Sequence, residues 1–347
     1  MDSTKIYSHE LRALPKVELH RHLDCSMRWS TMVELAPHVG LELPQNYDTQ
    51  RDFLLVTEPM KDLGAVLNKF LRVQKLLSSE EVLTRLAYEA CEDAYNDGIR
   101  ILELRYAPTF IVPEHSSSLN SLNFEKVHRA LQRGVEMAQK NFPMAVGMIC
   151  ILQRTTSLAL AEKVCDFAID HKDSFIAMDL ADNEEGSDPK NFASLFKKAH
   201  KAGLHITVHS GEANIPHSAQ WVKDSIEILG AERIGHGIQI IKDLNILHFV
   251  RDQGIPLEVC PISNWLTQAF KTHEEHPIRA LMNAGIKVTI NADDPGIFST
   301  QLSDDYEVLH RVHGFGIADF EKANDIAASA SFIDYKEKQK YWPRKIL

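Results

Sequence analysis

The residues of this chain best suited to chemistry are a few histidines and acids. They are His20 and His22, His209 with Glu212 three residues on, His236, and the pair Asp293–Asp294. Each follows a short apolar run: "KVELHRH", "LHITVHS", "RIGHG" and "INADDP". Residues two apart on a strand point to the same side, so His20 and His22 can share one cavity. A lone histidine at a strand end is ordinarily a surface or hydrogen-bonded residue, and Asp-Asp-Pro alone makes a good helix start. Convergence changes that reading. Imidazoles and carboxylates gathered at one mouth repel or stay unpaired without a cation. Zinc suits imidazole with carboxylate, whereas calcium and magnesium prefer oxygen. His209 would reach such a metal from a strand end, and the small Ser210 and Gly211 would let the chain turn closely past it. Glu212 would then face the same cavity without being a ligand. In a dry site its pKa would rise far enough to hold a proton, which makes it a general acid. His273 and His276 in "THEEHP" miss the H-E-x-x-H pattern by one position and read as loop residues.

The elements that must position these groups recur along the chain. A helical stretch ends at a glycine and a short β-type run follows. Gly98, Gly203, Gly230, Gly254 and Gly285 mark five such junctions. With three further runs the count is eight strands, at about 16–22, 99–106, 144–152, 175–181, 204–209, 232–236, 255–260 and 286–291. Their near-continuous apolar character fits a parallel sheet buried on both faces. Eight repeats in 347 residues favour an α/β fold of the (β/α)8 TIM-barrel type, with residues 1–347 as one domain. The open-sheet alternative would bring a glycine-rich loop after the first strand, and "HRHLDCSMR" is not one. Between strands one and two, "PMKDLGAVLNKFLRVQKLL" puts Leu63, Val66, Leu67 and Phe70 on one helical stripe. It reads as a helical lid after strand one or as an outer helix packed on the barrel. The polar residues above all fall at the C-terminal edge of the strands, where this fold carries active sites.

Composition narrows the partners. The formal net charge is -10 and no dense Lys/Arg run occurs, which argues against nucleic acid. Five widely spaced cysteines with no C-x-x-C argue against a disulfide framework or a cysteine zinc knuckle. No secretory h-region stands in the first twenty residues, and no run approaches the roughly 18 apolar residues of a membrane span. A cytoplasmic protein is expected, with its oligomeric state open.

Together, "LPKVELHRHLD", "VHSGE", "RIGHG", "CPISN" and "INADDP", in this order and spacing, resemble the adenosine deaminase family of zinc-dependent (β/α)8 hydrolases. The resemblance runs from about residue 14 to about 335. It implies that His20, His22, His209 and Asp293 bind one zinc per chain. It implies that Glu212 protonates N1 of a purine, that His236 acts as base and orients the attacking water, and that Asp294 hydrogen-bonds the activated hydroxide. Asp24 would accept a hydrogen bond from a ribose hydroxyl, and the family favours a helical lid after strand one. The implied partner is a small-molecule purine nucleoside, adenosine or deoxyadenosine, hydrolysed to the 6-oxopurine and ammonia in purine metabolism. A second metal is not expected, because "FIAMDLAD" offers no bridging lysine. The H-x-E…P-C-x-x-C signature of nucleic-acid base deaminases is absent.

Three positions depart from the family pattern. Cys25 stands where glycine usually follows "HLD", and Val66 where the lid is often aromatic. Asp182 stands in "DLAD" where the family's glycine backbone usually meets the purine. Asp182 would reshape the substrate pocket or turn its side chain to solvent. The alternatives are therefore a modified 6-aminopurine substrate (N6-methyl-AMP, aminodeoxyfutalosine or adenine), a zinc hydrolase of esters or lactams, and a non-catalytic metal-binding barrel.

Overall fold

The structure is a computed structural model that describes residues 8–112 and 122–346. The first seven residues of the N-terminal reading, and the ends of the 1–347 domain expectation, lie outside the described residues. Eight parallel strands pair in sequence order: β1 (Lys16–His22), β2 (Ile99–Tyr106), β3 (Ala145–Gln153), β4 (Phe175–Ala181), β5 (His205–Ser210), β6 (Arg233–His236), β7 (Leu257–Val259) and β8 (Val288–Ile290). The last two are shorter than their apolar runs suggest. The five junction glycines all adopt positive φ.

The barrel closes between β1 and β8, largely above the end of β8. His22 N–H donates to the carbonyl of Asp293 at 2.8 Å, and Asp293 N–H donates to that of His20 at 3.1 Å. Lower in the seam, side chains stand in for the missing ladder. Glu18 Oε1 accepts from the Ala292 amide, and Asn291 Oδ1 from that of Leu19, both at 2.9 Å. Closure thus joins the strand carrying two of the histidines to the segment carrying the aspartate pair.

The barrel interior beneath the mouth is ionic. Arg105 bridges Asp179 at 2.8 Å and Glu258 at 2.7 Å, and Arg233 bridges Glu103 and Glu258 at 2.6 Å each. These groups are almost wholly buried. Buried charges persist only when paired and hydrogen-bonded, which this lattice achieves. Outside the barrel, helices Glu80–Asn96 and Phe124–Asn141 lie in close contact. A Cβ at Gly134 would sit 2.3 Å from the Thr84 carbonyl oxygen, so only glycine allows this approach. No described helix is long and apolar enough to cross a membrane.

Between β1 and Glu80–Asn96 the chain inserts helices Trp29–Leu35, Tyr47–Leu54 and Leu63–Gln74. The last is capped by Asp62, whose Oδ1 accepts from the Ala65 amide at 2.9 Å. Arg72 donates to the Phe53 carbonyl at 2.7 Å, and Gln74 to that of Phe110. Val66 and Phe70 of its stripe are buried.

Candidate active site

A cavity of about 310 Å³ opens at the C-terminal edge of the strands. His22, His209, Glu212, His236, Asp293 and Asp294 line it, together with Asp24 and Asp182 and with Leu63, Val66, Leu67 and Phe70 of the inserted helix. His20 lies just beneath, fully buried.

Three histidines and one aspartate converge there. His22 Nε2 is 3.1 Å from His209 Nε2, and Asp293 Oδ1 is 3.3 Å from Nε2 of both His20 and His22. One ligating atom from each of the four lies within 4.8 Å of the others. A tetrahedral ion with bonds of about 2.0–2.1 Å separates its ligands by roughly 3.3–3.4 Å, so the spacing fits zinc. The far sides of the rings fix their protons. His20 Nδ1 donates to Glu258 at 2.8 Å, and His209 Nδ1 to Asp179 at 2.9 Å. Burial alone would raise both carboxyl pKa values. Arg105 and Arg233 outweigh it at Glu258, and His209 with Arg105 outweighs it at Asp179, so both stay ionised. The Nε2 lone pairs of His20 and His209 then point inward, and that of His20 has no hydrogen-bond partner. A buried lone pair facing other donors is a cation site by its own chemistry. A second grouping of His20, His236, Cys260 and Asp293 shares two of these residues.

The local backbone is specialised. Asp293 and His236 hold left-handed φ of 66° and 60°, a strained conformation for such residues that clusters at functional sites. Gly235 makes room for the metal-side ring, since a Cβ there would lie 2.9 Å from His20 Cε1. The turn after His209 is held from behind. Fully buried Glu184 accepts the amides of Gly211, Glu212 and Ala213 at 2.8, 3.0 and 2.7 Å. Buried Arg154 donates to the carbonyl of His209.

Glu212 ends this turn, buried, with Oε2 3.6 Å from His236 Nε2. Burial, and then the carboxylates of Asp293 and Glu184, push its pKa well above the carboxylate range. Burial holds His236 well below the imidazole range, and its Nδ1 lies 3.0 Å from Asn264 Nδ2. Burial, then Asp293, raises Asp294, whose Oδ1 has no partner and whose neighbour is the Cys25 thiol. Asp24 accepts from the Ala107 amide through Oδ2 at 3.0 Å, while its Oδ1 is buried without a partner. Burial pushes Asp24 up to about 7.

Asp182 keeps a glycine-like backbone, with φ 87°. Its side chain stays on the cavity wall. Oδ2 accepts from Gln153 Nε2 at 3.1 Å and from the Thr155 hydroxyl, and Oδ1 from the Asn183 amide at 2.7 Å. Five supporting residues escaped the sequence reading: Asp179, Glu184, Glu258, Asn264 and His276. "CPISN" already contained Asn264. His276, read as a loop residue, is buried and bonded to Asn264 at 3.1 Å.

Comparison with known proteins places this geometry. The family model described as adenosine deaminase matches residues 15–344. The adenosine deaminase of Plasmodium knowlesi is 33% identical over 333 residues, covering 95% of this chain and 90% of the relative. Among solved structures, arabidopsis N6-mAMP deaminase MAPDA superposes with a TM-score of 0.83 at 25% identity, covering 96% of this chain and 98% of that one. A cog1816 amidohydrolase from Burkhoderia ambifaria, with bound Zn, superposes with a TM-score of 0.85 at 24% identity, covering 98% and 92%.

Proposed function

The chain belongs to the adenosine deaminase family and is a hydrolase acting on C–N bonds, and from that premise we propose that its substrate is a free 6-aminopurine nucleoside, adenosine or deoxyadenosine. The observation that carries this reading is that the described lining of the cavity holds no cation. Asp24, Asp182, Glu212, Asp293 and Asp294 line it, and no lysine or arginine does so among the described residues. A 5′-phosphate brings about -1.5 to -2 charge and needs cations. The partnerless Oδ1 of Asp24 instead suits a sugar hydroxyl, which can donate to it. The arabidopsis structure is of an N6-mAMP deaminase, whose substrate carries a phosphate, and the described lining of the present cavity offers no lysine or arginine to receive one. A second reading, a modified 6-aminopurine, rests on the Asp182 carboxylate, which lies where the family usually has no side chain.

The donor set fits one zinc, held by His20, His22, His209 and Asp293. When bound, it would supply Lewis-acid activation of water at neutral pH. The chain's own groups do the rest. Glu212, kept neutral by burial, gives its proton to N1 as electrons move from C6 onto the ring. Acid–base groups of this kind contribute roughly 10²–10⁴ in rate. Asp294 hydrogen-bonds the attacking oxygen through Oδ1, and His236 presents Nε2 to it. The stripe of Leu63, Val66, Leu67 and Phe70 acts as a lid that keeps bulk water from the purine.

The test is ammonia release from adenosine, deoxyadenosine, N6-methyl-AMP, adenine and aminodeoxyfutalosine. The first two should lead, with kcat/KM at least ~10²-fold above the nucleotide, as expected when a phosphate must enter an acidic site. A nucleotide turned over as well as adenosine would contradict the reading.

A further inference from the structure

A chain of hydrogen bonds reaches the mouth with its direction fixed at the outer end. The Ile278 backbone N–H can only donate, and it donates to His276 Nδ1 at 3.2 Å. Burial holds His276 down to about 3, so its ring is neutral, and with Nδ1 accepting it carries its proton on Nε2. That Nε2 lies 3.1 Å from Asn264 Oδ1, which accepts. The amide of Asn264 must then turn Nδ2 toward His236, where it stands 3.0 Å from Nδ1. An amide nitrogen donates and does not accept, so His236 Nδ1 is the acceptor. Neutral His236 is left with its proton on Nε2. That Nε2 faces the carboxyl oxygens of Glu212 and Asp293 at 3.6 and 3.8 Å, across the space the attacking oxygen would occupy. His236, Asn264 and His276 are all buried, so water does not scramble the relay.

We propose that His276 and Asn264 are positioning residues that lock His236 as an Nε2–H donor, so that His236 hydrogen-bonds the attacking oxygen instead of taking its proton. This rests on the deaminase reading and departs from the base role that the family resemblance implies for His236. A protonated Nε2 also cannot ligate a metal, which disfavours the grouping with Cys260. In the step itself the water oxygen bonds to C6, the C6–N1 π electrons move to N1, and N1 takes the Glu212 proton. The proton shed by water passes to a carboxylate of the mouth. It leaves on the amino group as ammonia, while the hydroxyl proton returns to Glu212 as the 6-oxo product forms.

The experiment is ¹⁵N-histidine NMR of the full-length zinc-loaded protein, with His236→Gln to assign the signal, beside the kinetics of two variants. Wild type should report the Nε2–H tautomer at His236. Asn264→Asp keeps the shape but only accepts, so it should drive His236 to Nδ1–H. It should lower kcat by ~10²-fold or more at similar KM and zinc content, the cost of a wrong tautomer in a catalytic histidine. His276→Gln still donates to Asn264, so it should keep Nε2–H and a kcat within about threefold of wild type. An Nδ1–H signal in wild type overturns the proposal whether or not any variant folds. So does equal loss in the two variants, which would mark the pair as merely structural. Absence of deaminase activity with an intact Nε2–H signal would instead sink the function and leave the relay standing.

Discussion

The two walls of the cavity are built differently. The metal-side wall consists of strand ends, with His20 and His22 on β1, His209 on β5, His236 on β6 and Asp293 just past β8. Each of its rings that bonds outward does so to a buried partner: Glu258, Asp179 or Asn264. The opposite wall comes from loops and the inserted helix, and it holds the departures from the family pattern: Cys25, Val66 and Asp182. Rigid strand ends can hold reacting groups to a fraction of an ångström, while loops vary without unravelling the barrel. On the proposed function, reaction type resides in one wall and substrate choice in the other.

Variants should respect that division. Removing a ligand has the largest effect. Asp293→Ala should lose the zinc and at least ~10⁴-fold in kcat, as measured by metal analysis and ammonia release. Glu212→Gln should keep the metal and lose ~10²–10⁴-fold in kcat with little change in KM. Full activity there would remove the assigned acid. Asp179→Asn stands behind the metal wall. It should cost about 10–100-fold in metal affinity, read by competition with a chelator, because His209 loses its orienting carboxylate. On the other wall, Asp182→Gly should leave kcat for adenosine within a few-fold and relax the preference among purines. A collapse of kcat for all substrates would erase the distinction between the walls. A pH profile sharpens it further. Glu212 works as the neutral acid, and burial raises its pKa, so its proton is retained to higher pH than in an ordinary carboxyl and lost as pH rises through the raised value. The acid-dependent loss should therefore lie on the alkaline side and vanish in Glu212→Gln.

How much of this was legible beforehand follows the same line. The strand ends announced themselves, because apolar runs closed by histidine or aspartate carry both the period and the chemistry. The barrel order and the helical stripe from Leu63 to Phe70 could be read the same way. The supporting groups could not. Glu258 pairs with His20 across 238 positions, and Glu184 holds a turn 27 to 29 residues away. Neither an acid inside an apolar run, such as Glu258, nor one among other polar residues in a loop, such as Glu184, gives a hint of its distant partner. His276 looked like a loop residue because its role depends on burial and on Asn264, neither of which leaves a local pattern. Asp182 was visible as a departure, but its bonds to Gln153 and Thr155 emerged only in three dimensions.

One ion is expected among the three imidazoles and the carboxylate of Asp293. Zinc-edge X-ray absorption on the purified, metal-loaded protein tests it most directly. One zinc per chain with only nitrogen and oxygen neighbours at about 2.0–2.2 Å is the predicted result. A sulfur neighbour from Cys260, or a folded chain that takes up no zinc at all, would contradict it.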